Sequence, residues 1–148
     1  MLHNILKHAH SGWRWIVLAL LVFAIFNAFR KWRSGAEFQE SDRKLNIFTL
    51  SAVHIQFVFG LILYFISPWV VFSGEAMKDA LLRFYTVEHF LTMLIGVAVI
   101  SIGYSRAKRA VEAGQKFRTT FVFFLIGLLI ILARIPWPFM EKYQGGWF

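Results

Sequence analysis

The chain predicts an all-α fold: an antiparallel four-helix transmembrane bundle in which residues 1–148 form a single integral-membrane domain. Three observations predict it. Of 148 residues, 58 % are hydrophobic and 18 % aromatic, and the mean hydropathy is +0.59, far from the composition of an ordinary globular domain. Four apolar runs, Gly12–Phe29, Leu45–Phe72, Phe84–Tyr104 and Thr119–Trp137, each reach the roughly 20 residues that cross a hydrocarbon core about 30 Å thick. Backbone groups in lipid must be satisfied within their own segment, so these runs read as helices rather than strands. The third observation is where the charge lies. Ten of the sixteen basic residues occupy the connections after the first run (Arg30, Lys31, Arg33, Arg43, Lys44) and after the third (Arg106, Lys108, Arg109, Lys116, Arg118).

The positive-inside rule makes that side cytoplasmic and puts both termini on the periplasmic side of the inner membrane. The net charge of +8 is thus a topology signal, with contact to anionic lipid headgroups as its second consequence. No aromatic–basic reader motif accompanies it, so no nucleic-acid partner is expected. With no cysteine, disulfides, thiolate-bound iron–sulfur clusters and c-type haem attachment are excluded.

Taken in order, the first run is followed by Phe29-Arg30-Lys31-Trp32 instead of a small-residue cleavage pattern, and reads as a retained helix. Ser41 or Asp42 is placed to cap the second helix, and Pro68 to end or kink it. Ser73-Gly74 makes a turn, and Glu75–Leu82 an amphipathic approach to the third helix. Gly114 breaks the link between helices three and four, and Pro136-Trp137-Pro138 stops the fourth. Trp137, Tyr143 and Trp147 form an outer aromatic belt. Short connections favour up-down-up-down order.

Ionisable groups at membrane depth are costly and mark function. Counting ~1.5 Å of rise per residue from each basic edge puts His54 ~15 Å deep, with Arg14, His89 and Arg134 near ~24 Å and His10 near ~30 Å. Arg14, Glu88, His89 and Arg134 therefore share a level, and the two arginines are expected to face one interior site. On helix three, Tyr85, His89, Thr92, Met93, Gly96 and Gly103 fall on one stripe, with Gly96 and Gly103 leaving room for a flat body or a neighbouring helix. His54 faces a wall including Phe57, Leu61 and Phe65. A b-type haem needs these parts: an imidazole on each face, apolar walls, small residues and cations for its propionates. Depth favours His89 with His54; His10 with His89 is the rival pair, and the lean of side chains toward helix N-termini counts against the first. Plainer readings stand beside it: a helix-to-helix hydrogen bond for His54, an Arg14–Glu88 ion pair, and solvated His3 and His8.

At His10-Ser11-Gly12-Trp13-Arg14-Trp15, His54-Ile55-Gln56, Thr86-Val87-Glu88-His89 and Ile135-Pro136-Trp137-Pro138 the chain resembles the small four-helix membrane proteins of Bacteroidota labelled cytochrome B. The resemblance runs through nearly the whole chain to Gly146-Trp147-Phe148, and implies an inner-membrane protein with His10, His54 and His89 as haem ligands. The chain is more distantly similar to bacterial four-helix b-type cytochromes that carry electrons between quinol and periplasmic acceptors. It departs from them in helix four, which has Arg134 and no histidine, so a single haem b is expected. The functional expectation is electron transfer, with a membrane quinone as a candidate partner. The alternative is a cofactor-free accessory or assembly subunit of a larger inner-membrane complex. A copper or zinc ion held by His10, His54 and His89 is a third class, opposed by their spread in depth.

Overall fold

The computed structural model describes residues 1–143 and 147; the closing Gly146 and Phe148 of the family resemblance lie outside the described residues. Four long helices and no strand are present among them: α1 (Leu2–Ser34), α2 (Glu40–Ile66), α3 (Ala80–Arg109) and α4 (Ala113–Leu132). All four are long and apolar enough to cross a membrane, and the chain is a multi-pass membrane protein.

The helix ends follow local chemistry, and several differ from the sequence expectation. Helix α1 runs past its apolar core at both ends and stops at Gly35, whose left-handed φ of 66° lets Ala36 N–H return to the Lys31 carbonyl at 3.1 Å. The N-cap of α2 is Gln39, two residues before Ser41 and three before Asp42. Asp42 contributes from inside the helix: its carboxylate accepts from Gln39 N–H at 3.0 Å, and from Asn27 and Lys31 at 2.8 Å each, so one buried acid ties α1 to α2. Helix α2 ends at Ile66, because Ser67 precedes Pro68 and is held extended. Asp79 then caps α3, accepting from Leu81 and Leu82 N–H at 2.9 Å. Inside α3, Phe84–Glu88 widens into a π turn. The break between α3 and α4 falls at residues 110–112, and Gly114 lies in the first turn of α4. Helix α4 stops at Leu132, four residues before Pro136, so Ala133 and Arg134 are in a turn.

Around the bundle, α1 packs on α2 and α4, and α3 packs on α4 and, most loosely, on α2. Each helix gives one fully buried side chain to the middle: Leu21, Val53, Ile100 and Phe124. Large apolar residues such as Phe23, Phe26, Phe48 and Phe65 point outward, as lipid demands. Lipid supplies no hydrophobic drive between helices, so association depends on close approach. That is the work of the glycine stripe. A Cβ on Gly96 would meet Ile131 Cγ1 of α4 at 2.8 Å, and one on Gly103 would run into Phe123. Of the two expected roles of Gly96, clearance for a flat body or close approach of a helix, the structure shows the second: it seats α3 on α4.

The two basic connections meet at one end, where Phe38 packs on Phe117 (5.2 Å between ring centres) and Lys31, Lys116 and Arg118 lie over aromatic rings. At the other end, Trp15 stacks on Trp147 and donates to its carbonyl at 2.9 Å, while Tyr143 stacks on Phe84. Tyr143 and Trp147, expected in an outer aromatic belt, thus clasp the chain's end to α1 and α3.

Candidate functional site

At the end remote from the basic connections, a cavity of about 170 Å³ opens between α1, α2 and α3, capped by the last turn of α4. Helical periodicity explains which residues reach it. Helix α1 presents His3, Lys7, His10, Arg14 and Val17 along one stripe; α2 presents Val53, Gln56, Phe57, Gly60 and Tyr64; α3 presents Tyr85, His89, Met93 and Val97. The upper walls are aromatic and branched, with Tyr64 stacked on Phe90 at 4.3 Å.

The structure brings His10 and His89 together. Their ring centres are 6.4 Å apart and their planes cross at 78°. His89 directly follows the π turn, beside Phe84 and Tyr85. Its Nδ1 lies 2.8 Å from the Arg134 carbonyl, which can only accept, so Nδ1 carries the proton and Nε2 keeps its lone pair. His10 is gripped from α2: Gln56 Nε2 donates to its carbonyl at 2.9 Å and approaches its Nε2 at 3.3 Å. Its ring lies against Gly60, where a Cβ would come within 3.0 Å of Cε1. Both His10 Nδ1 and Gln56 Oε1 are buried with no hydrogen-bond partner among the described residues.

Arg14 also lines the cavity, 8 % exposed, with its guanidinium 5.2 Å from the Trp15 ring centre. Arg134 does not join it. Because α4 has already ended, the side chain of Arg134 is half exposed and pairs with Glu88 at 3.6 Å; Glu88 also holds Arg83 at 3.0 Å. The expectation of one site shared by both arginines fails, since the depth count assumed unbroken helix through residue 134. Arg134 serves the site through its backbone carbonyl instead. The same pairs show that Glu88 is taken by Arg83 and Arg134, where an Arg14–Glu88 pair was one expectation.

His54 is not brought to the cavity. It sits one residue, about 100° of helix, from Val53. There it is exposed on the outside of the α2–α3 seam, and its Nε2 lies 2.9 Å from Ser101 Oγ. Ser101 already donates to the Val97 carbonyl, so His54 is the donor. Among the described residues, no three His, Cys, Asp or Glu side chains gather as a metal-ion group. His3 and Lys7 line the cavity mouth, where His3 was expected only to be solvated. Sequence reasoning gave no role to Gln56 or Gly60. The available signal was spacing: Val53, Gln56, Phe57, Gly60 and Tyr64 form a helical stripe that excludes His54. In comparisons with protein-family models, curated proteins and solved structures, nothing matches the chain.

Proposed function

We propose that this protein is a membrane-embedded b-type haem protein working in electron transfer, in which His10 and His89 would hold the haem. The observation that carries the reading is their juxtaposition across an apolar cavity. With a metal–imidazole bond of about 2 Å, two imidazoles that held one ion between them would have centres about 6 Å apart, close to the 6.4 Å found. The donor set fits as well: His89 offers Nε2 while Nδ1 is anchored on a carbonyl, the usual way a ligating histidine is oriented. His10 Nδ1 is buried with no hydrogen-bond partner among the described residues.

Haem, when bound, supplies a one-electron couple. The chain does the rest. His10 and His89 are positioned by Gln56 and by the Arg134 carbonyl. Arg14, buried in low dielectric, is placed to hold an anionic group such as a propionate, and its charge favours the reduced state. Phe57, Tyr64 and Phe90 supply an apolar wall. On the positive-inside rule the end with the basic connections would lie in the cytoplasm, and the site would then lie toward the periplasmic face of the inner membrane, within reach of a membrane quinone or an external acceptor. The absorption spectrum of purified protein, oxidised and after dithionite, tests the reading. A low-spin b-type spectrum with stoichiometric haem is expected; a folded protein that takes up no haem would leave the accessory-subunit alternative.

A further inference from the structure

We infer that the seam between α3 and α4 at the basic end is a binding site for the phosphate-bearing headgroup of an anionic phospholipid. A pocket of about 460 Å³ lies there, lined by Arg106, Arg109, Gln115, Thr119 and Phe123. Lys31 and Arg43 at the same end have carboxylate partners, Asp42 and Glu40. Arg106 and Arg109 form no ion pair among the described residues. Both are nevertheless oriented. The Arg106 guanidinium lies over the Phe123 ring at 5.6 Å, and that ring is pressed onto Gly103; Arg109 Nε donates to the Ser105 carbonyl at 3.3 Å.

The surface below the pocket specifies a lipid. Ile102, Arg106 and Arg109 share one stripe of α3, and Thr119, Val122 and Ile126 share one stripe of α4. Ile102, Val122 and Ile126 are exposed apolar residues, so the seam is cationic and hydroxyl-bearing at its end and greasy immediately beneath. Two guanidinium forks with Gln115 and Thr119 suit phosphate oxygens, and the apolar seam suits acyl chains. A free phosphate ion would use only the upper half.

The test is titration of the purified protein in neutral detergent with phosphatidylglycerol, with phosphatidylcholine, and with inorganic phosphate, read as individual bound lipids by native mass spectrometry and as thermal protection. Phosphatidylglycerol should bind at least tenfold tighter than phosphatidylcholine, and the double variant Arg106→Gln, Arg109→Gln should lose that preference. The double variant Arg30→Gln, Arg33→Gln, which removes equal charge from the other connection, should change affinity less than twofold. Equal losses in both variants would show diffuse attraction and overturn the site. So would phosphatidylcholine binding as tightly, or inorganic phosphate alone giving the same protection.

Discussion

Gly60→Ala is the smallest change that reaches the proposed site without altering a charged or ligating group. The new Cβ would stand 3.0 Å from His10 Cε1, 3.6 Å from Nδ1 and 3.9 Å from Nε2. Carbon–carbon contacts prefer about 3.5–4.0 Å, so the imidazole must retreat by a few tenths of an ångström. Its freedom to do so is limited, because Gln56 holds the His10 carbonyl from the same helix as Gly60. Leaving the rotamer minimum costs about 0.5–1.5 kcal/mol. Alanine in place of a mid-helix glycine returns about 1 kcal/mol. Global stability should therefore barely move while the site is disturbed. Displacing a group that orients a metal ligand typically weakens metal binding about 10-fold or more, and haem affinity should fall accordingly. Haem titration followed in the Soret band measures the affinity, thermal unfolding measures the stability, and the His10 ring resonances report the displacement with no haem present. Unchanged ring resonances together with wild-type haem affinity would refute the placement of His10 against α2.

Three further outcomes are expected. Asp42→Ala removes the acceptor shared by Asn27, Lys31 and Gln39, and should cost about 3–5 kcal/mol in reversible unfolding, since it strands a largely buried ammonium. Gly103→Leu forces a side chain into Phe123, and should destabilise the α3–α4 pair by about 1–3 kcal/mol or more, read as a lower unfolding temperature. Reporter fusions at Gly35 and Gly114 should both come out cytoplasmic; a periplasmic result at either would reverse the proposed orientation.

The fold was legible because bilayer physics leaves few choices: apolar runs of sufficient length must be helices, and short connections make neighbours antiparallel. The helix ends were less legible, for local reasons. Pro136 suggested a stop, yet α4 unwinds at Leu132, and that shift moved the Arg134 side chain out of the site and its carbonyl into it. The histidine pair turned on rotation rather than depth. Depth alone favoured His54, but depth does not say which side of α2 faces inward, and one residue of offset separates Val53 in the cavity from His54 outside it. The stripe leaves Gly96 open to a flat body or a neighbouring helix, and only the position of Ile131 distinguishes the two. Gln56, present in the resemblance motif, has no role legible in the sequence because a neutral amide carries no charge signal, although a buried amide in lipid needs a partner as surely as an ion does.

The most direct measurement of the central claim compares the reduced spectra and spin states of His10→Ala, His89→Ala and His54→Ala in parallel. Loss of the six-coordinate low-spin signature in the first two, with His54→Ala keeping the wild-type spectrum, is the predicted result. A low-spin spectrum that survives in His10→Ala and disappears in His54→Ala would contradict it.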